Sequence, residues 1–232
     1  MTIKAVFFDA AGTLIKPTRG VGDSYVAFAA KYGVRVSTAE VAERFRVCFE
    51  TAPRLAFPGA TEGSIAALER EWWKRLVAQI FQPWSPMACF DEFFDELFAY
   101  FARPDAWTLY PEVIDTLDAL RQRGLALGVI SNFDSRLVSI LNGLGVGSSF
   151  QDIFVSSRVG YAKPEREIFH AALKRYDLRP DESLHVGDSD INDRKGANDA
   201  GLRGLLVDRR QTADSADPTR VTSLASIIDL LA

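Results

Sequence analysis

The chain has 232 residues, 47% hydrophobic and 25% charged, with 27 Lys and Arg against 31 Asp and Glu and a formal net charge of −4. The apolar and aromatic content excludes a disordered chain, and the mild acidity argues against a nucleic-acid binder, whose affinity rests on a clustered basic face. At roughly 150 residues per domain, the length allows one large domain or one domain carrying an insertion. Cys48 and Cys89 stand far apart in amphipathic segments, so buried free thiols are expected in place of a disulfide or zinc site. Met1 to Phe8 has one Lys and too short an apolar run for a signal peptide, and no later window approaches a membrane span. The expectation is a protein of a reducing cytoplasm with no membrane partner.

Ile3 to Phe8 is a short, nearly continuous apolar run ending at Asp9-Ala10-Ala11-Gly12-Thr13, which reads as a strand buried on both faces and then a turn. From about Pro17 to Arg103 no buried strand is evident. Val21 to Tyr32, Thr38 to Leu55, Thr61 to Phe81 and Pro86 to Phe101 carry apolar residues at three and four spacing, as helices do. Further on, apolar runs again end in polar residues: Leu125 to Ile130 before Ser131-Asn132, Ile153 to Val155 before Ser156-Ser157, Leu184 to Val186 before Gly187-Asp188-Ser189, and Leu205 to Val207 before Asp208. Helical patterns at Pro111 to Arg123, Asp134 to Leu144, Pro164 to Tyr176 and Asn192 to Ala200 separate them. Strand and helix therefore alternate. The expected fold is α/β: a Rossmann-like parallel sheet core, residues 1–16 and 104–232, with helices on both faces and an all-helical cap, residues 17–103, inserted after the first strand. In such sheets ligands sit beyond the carboxyl ends of the strands, where these polar clusters fall.

Asp9, Ser131, Lys163 and Asp188 each follow a different strand, so the topology converges them on one site. Asp9, Asp188 and Asp193 together would crowd three negative charges, a costly arrangement without a cation. Few oxygen ligands beside an anionic substrate suit Mg²⁺, which keeps waters and a phosphate oxygen in its shell. A small phosphorylated molecule would then be held by the Ser131 hydroxyl, the backbone N–H groups near Ala10, Ala11 and Gly12, and the Lys163 ammonium. The cap aromatics, Trp72, Trp73, Trp84, Phe90, Phe93, Phe94, Phe98 and Phe101, are expected to form a bundle core, with one or two free to roof the pocket. His170 and His185 read as structural, Asp134 as the cap of the next helix, and Gly143, Gly145 and Gly147 as a helix stop and turn.

These pieces resemble a known family. Asp9-Ala10-Ala11-Gly12-Thr13-Leu14, Ser131-Asn132, Lys163-Pro164 and Gly187-Asp188-Ser189-Asp190-Ile191-Asn192-Asp193 resemble, in order, the four motifs of haloacid dehalogenase superfamily hydrolases. Trp72-Trp73 and Val129-Ile130-Ser131-Asn132-Phe133-Asp134 further resemble its branch called haloacid dehalogenase-like hydrolase domain-containing protein three. The resemblance implies a nucleophile at Asp9, neutralisation of the transferring group by Ser131 and Lys163, and substrate contacts at Ala10, Ala11, Gly12, Thr13 and Asn132. It also implies a Mg²⁺ site built from Asp9, the backbone carbonyl of Ala11, Asp188 and Asp193, with Asp190 and Asn192 as competing choices for the last place. The departure is Ala11, where family phosphatases carry a second Asp as general acid and base. The reading is thus a Mg²⁺-dependent phosphohydrolase through an aspartyl-phosphate, slow or restricted in leaving group. The alternatives are a non-catalytic phosphate- and Mg²⁺-binding protein and, third, a 2-haloacid dehalogenase, whose first motif has the same form but which uses no metal and needs a cap Arg such as Arg44, Arg46 or Arg54.

Overall fold

A computed structural model describes residues 2–209 and 217–231. The first apolar run forms β1 (Ala5–Phe8). Its side chains alternate, Val6 and Phe8 into one apolar cluster and Ala5 and Phe7 into another on the opposite face. Burial on both faces is why the run lacks the polar residues of a half-exposed strand. Around it lie β4 (Ala126–Ser131), β5 (Asp152–Val155), β6 (Ser183–Gly187), β7 (Arg203–Val207) and β8 (Arg220–Val221), all in parallel pairs and in the order β5-β4-β1-β6-β7-β8. β1 and its neighbours β4 and β6 occupy the middle, so the strand ends at Asp9, Ser131 and Gly187 open side by side. The α/β expectation holds.

The connections are helical, with starts later than the apolar pattern suggests. α5 runs Val113–Gln122, α6 Arg136–Gly143, α7 Ser156–Val159 and α8 Arg166–Tyr176. Before α8 the chain first makes a turn, with the Glu165 N–H donating to the Ala162 carbonyl and the Ala162 N–H to the Glu165 carboxylate. The segment Asn192 to Ala200 divides into a π-helical turn, Asp190–Lys195, and α9, Gly196–Asp199. α10 (Ser226–Leu230) closes the chain against α5. α6 stops at Gly143, where a β-carbon would lie 2.1 Å from Pro104, and Gly145 then takes φ +80.

Between β1 and α5 the chain departs and returns through two short strands, β2 (Ile15–Pro17) and β3 (Trp107–Leu109), paired antiparallel with Ile15 opposite Leu109 and Pro17 opposite Trp107. At three residues each, with a Pro in one, they gave no strand period. The insertion they close holds α1 (Val21–Lys31), α2 (Thr38–Thr51), α3 (Glu62–Phe81) and α4 (Phe90–Tyr100). α2 begins at a capping box between Ser37 and Glu40. Tyr25, Phe81, Phe93, Phe94 and Leu97 are buried among these helices, in ring contacts such as Phe81 with Phe93 at 4.9 Å. Cys48 is buried there as expected, but Cys89 is exposed, because it precedes α4 and lies outside the bundle. No helix of the described residues is long and apolar enough to cross a membrane.

Candidate active site

Asp9 leaves β1 into the loop with its backbone N–H bound to the Val186 carbonyl, so the nucleophile candidate is fixed by the central strand pair. The Lys163 ammonium donates to Asp9 Oδ1 at 2.8 Å and to Asp193 Oδ1 at 2.5 Å. The same Asp193 oxygen bonds His185 Nε2 at 2.9 Å, and Asp193 Oδ2 accepts from the Ser189 N–H at 2.9 Å. All four of these side chains are buried. With Asp188, Asp9 and Asp193 each offer one carboxylate oxygen within 4.8 Å of the others.

Burial favours the neutral form of a carboxylate, whereas a nearby ammonium favours the charged one. Burial raises Asp9 above its ordinary value, opposed by Lys163. Asp193 goes the other way. Burial there is overridden by the Lys163 charge and the His185 hydrogen bond, which hold the carboxyl well below the usual range. Burial alone would depress the Lys163 ammonium, but Asp193 and Asp9 raise it. Asp188 is not paired with Lys163, whose charge opposes its rise only in part. One side of it reaches solvent, yet desolvation in the crowded pocket, then the charges of Asp9 and Asp193, push it up to about 7. His185 is held low by burial and is neutral; with Nε2 donating to Asp193, its Nδ1 is a buried nitrogen without a partner.

Two glycines make this crowding possible. A β-carbon on Gly12, which sits at φ +90, would lie 2.2 Å from Asp188 Oδ2. A β-carbon on Gly187 would lie 2.0 Å from Asp193 Cγ. Each carboxylate occupies the volume that a side chain at the facing glycine would fill.

The other predicted residues divide. Ser131, buried at the end of β4, lies close enough to Asp9 to oppose the rise that burial gives its carboxyl. Ala10 is buried; its carbonyl accepts from the N–H groups of Thr13, Leu14 and Ile15, winding the loop tightly. The Gly12 N–H, expected to face a phosphate, donates to the Ile15 carbonyl because the loop must satisfy its own backbone. Asn132, expected at the substrate, uses its side-chain amide to hold Lys163: Oδ1 accepts from the Lys163 N–H at 2.7 Å and Nδ2 donates to the Lys163 carbonyl at 2.9 Å. Of the competing acids, Asp190 pairs with Arg194 and Lys195, away from Asp9, while Asp193 is inside the cluster. Arg44, Arg46 and Arg54 are engaged with the Ile80 and Gln79 carbonyls, with Glu43 and Glu50, and with Glu165 respectively.

Sequence reasoning missed Arg209. Its guanidinium donates to the Gly12 and Thr13 carbonyls and to Glu112, and stacks 3.6 Å from the Tyr110 ring centroid. It clamps the outside of the loop that carries position 11. Its place two residues past β7, beside Asp208 at a strand end, was the available signal.

Charged groups presented by successive parallel strand ends, on a sheet with a helical insertion after the first strand, define a hydrolase class. The family model for haloacid dehalogenase-like hydrolases matches residues 3–201, and the chain belongs to that family. It is 35% identical over 226 residues to the mouse haloacid dehalogenase-like hydrolase domain-containing protein 3, covering 93% of this chain and 86% of that protein. Among solved structures it is similar to the putative HAD-hydrolase YfnB of Bacillus subtilis bound to magnesium, at a TM-score of 0.75 and 17% identity with 100% of this chain and 99% of that one covered. A HAD phosphatase from Thermococcus onnurineus matches at 0.68 and 22% over 99% and 98%. The L-2-haloacid dehalogenase of Xanthobacter autotrophicus matches at 0.71 and 18% over the same shares. At these identities the solved structures bear on the fold alone.

Proposed function

We propose that this hydrolase is a Mg²⁺-dependent phosphohydrolase that works through an aspartyl-phosphate on Asp9, with the helical insertion as its cap. The observation that carries the reading is Asp188. Three carboxylates share one pocket with a single ammonium, and Asp188, the one carboxylate that this ammonium does not pair, is pushed up to about 7 by desolvation and by the charges of Asp9 and Asp193, an arrangement that a cation would relieve. Asp9, Asp188 and the Ala11 carbonyl would hold Mg²⁺, a hard cation that takes few carboxylates and lends positive charge to a phosphoryl group. Asp193, with both oxygens already bound, orients Lys163.

In this reading an Asp9 oxygen attacks phosphorus as the bond to the leaving oxygen breaks and the leaving group departs with the electron pair. Lys163 and the Ser131 hydroxyl neutralise charge on the transferring group. Water then attacks phosphorus, the bond between phosphorus and the Asp9 oxygen breaks with its electron pair left on Asp9, and the released inorganic phosphate carries the water's protons, restoring the Asp9 carboxylate. Ala11 supplies no proton to the leaving oxygen, and loss of a positioned general acid typically costs about 10²–10⁴ in rate. Acyl and aryl phosphates, whose leaving groups are stable as anions, are therefore the favoured substrates. The same Ala11 favours a second reading, a binding protein that keeps the metal and anion site without turnover. A dehalogenase would also need no acid, but each of the three cap arginines named for it has another partner, and the Asp188 carboxylate would serve no purpose there.

The test is release of phosphate or halide from phosphate monoesters, acyl phosphates and 2-haloacids, with and without Mg²⁺, in wild type and Asp9→Asn. Metal-dependent hydrolysis of acyl phosphate, lost in Asp9→Asn, is expected. Metal-independent halide release would overturn the reading, and silence on every substrate with retained Mg²⁺-dependent beryllium fluoride binding would favour the second.

A further inference from the structure

The two sequence pieces that the proposed chemistry leaves unused, Trp72-Trp73 and the end of the Val129 to Asp134 run, meet in space. Trp73 Nε1, on α3 of the insertion, donates to Asp134 Oδ2 at 2.6 Å, and Asp134 is fully buried. Asp134, expected to cap α6, stands one residue before its N-cap, Ser135, and binds Arg136 with both oxygens. Its Oδ1 accepts from the Arg136 N–H and Nε, both at 2.9 Å, and its Oδ2 from a terminal guanidinium nitrogen of Arg136 at 2.6 Å. Arg136 in turn reaches into the insertion, 3.9 Å from the Phe98 ring centroid and 5.4 Å from that of Trp73, and donates to the Phe98 carbonyl at 3.0 Å.

The exchange is reciprocal. Glu69, one helical turn before Trp73 and buried, sends a carboxylate oxygen into the core, where the Ser135 N–H, the Ser135 hydroxyl and the Ser157 hydroxyl donate to it at 2.9, 2.7 and 2.6 Å. A buried carboxylate with several donors makes strong, directional bonds, and losing one leaves an uncompensated group out of water. The joint between α3 and the segment after β4 is therefore specific, unlike the interchangeable aromatic contacts inside the insertion.

We propose that Trp73, Glu69, Asp134 and Ser135 form a buckle through which docking of the insertion positions the anion-holding end of the site. The path is short: Asp134 lies two residues beyond Asn132, whose side chain holds both backbone groups of Lys163, whose ammonium joins Asp9 to Asp193. Trp73, Glu69 and Asp134 are thus positioning residues. Their role in substrate handling rests on the reading of Ser131 and Lys163 as the phosphate-holding groups; the mechanical coupling does not.

The experiment compares Trp73→Phe with Trp72→Phe. Both lose one indole N–H and keep a ring, but Trp72 Nε1 donates to the Pro53 carbonyl within the insertion. Native-state hydrogen exchange is read across the chain, together with the affinity for beryllium fluoride in the presence of Mg²⁺. Trp73→Phe is expected to speed exchange about tenfold in residues 131–136 and at Lys163 and Glu165, as loss of a charge-assisted hydrogen bond implies, and to weaken beryllium fluoride binding several-fold. Trp72→Phe should change neither. Ser135→Ala, a small change that removes one donor to Glu69, should speed exchange in the same segments if Trp73→Phe does not fold. Faster exchange confined to α3, or an equal change in Trp72→Phe, would overturn the buckle. If wild type binds no beryllium fluoride, the phosphohydrolase reading falls, and the exchange pattern still decides the coupling.

Discussion

The floor of the site and the interior of the helical insertion are both buried, and they are held in opposite ways. At the floor, Lys163, Asp9, Asp193 and His185 satisfy one another through single, irreplaceable atoms. In the insertion, Phe93 packs edge-on to Phe81 and Tyr32 and beside Phe90, so each ring shares its burial with several others. A charge network fails when one member is lost, because the remainder stays charged and desolvated. An apolar cluster repacks. The floor fixes geometry at the expense of tolerance, and the insertion tolerates change more readily except where it meets the core, at Glu69 and Trp73 and at contacts such as the Leu55 carbonyl with Ser156 and the Phe98 carbonyl with Arg136.

Lys163→Met should break the floor most severely. It leaves Asp9 and Asp193 buried without their shared cation, and breaking such a network costs about 3–5 kcal/mol. Urea denaturation at pH 7 would show it; a loss no larger than that of an ordinary core swap would mean that the network is far less strained than its burial implies.

Ala11→Asp should act chiefly on the chemistry, at the cost of a fourth carboxylate beside Asp9 and Asp188. Hydrolysis of alkyl phosphates, whose leaving oxygen needs a proton, is expected to rise by up to about 10²-fold, the low end for general acid catalysis, with little gain on acyl phosphates. Steady-state kinetics giving an equal rise for both classes would move the limit from the leaving group to the water step, and no rise in either would reject Ala11 as the limit on turnover.

The floor should also show in pH dependence. Asp188, raised to about 7, and Asp9, raised in the same direction, bind more protons folded than unfolded above their ordinary value near 3.8. Stability of the metal-free protein should therefore fall as pH rises from about 4 through 7. Asp193, depressed, has the opposite sign, and its contribution is lost as pH falls below 3.8 toward its lowered value. On the proposed reading Mg²⁺ binds the ionised Asp188 and should flatten the upper limb, raising the melting temperature more at pH 8 than at pH 6. Equal Mg²⁺ shifts at both values, or no shift at pH 8, would remove Asp188 from the metal site.

Leu97→Met, at a fully buried position of the insertion, should have the smallest effect, below about 1.5 kcal/mol, as a volume-conserving swap. A loss near that of Lys163→Met would erase the contrast between the two regions.

The sequence by itself determined the sheet and the cluster. Strands buried on both faces must be continuous apolar runs, so Ile3 to Phe8 and its successors were legible, and because parallel strands end on the same side, Asp9, Ser131, Lys163 and Asp188 had to converge. Helix periods likewise marked α1 to α4, since an amphipathic face repeats at 3.6 residues. Tertiary structure decided everything that depends on partners far apart in the chain. The pairing of β2 with β3 is too short to carry a period. Asn132 turning to Lys163, Arg209 clamping Gly12 and Thr13, Asp193 and not Asp190 joining the cluster, and Trp73 reaching Asp134 across 61 positions each depend on a long-range hydrogen bond. Such bonds leave no pattern along the sequence, because a side chain's nearest donor is fixed by packing and not by spacing.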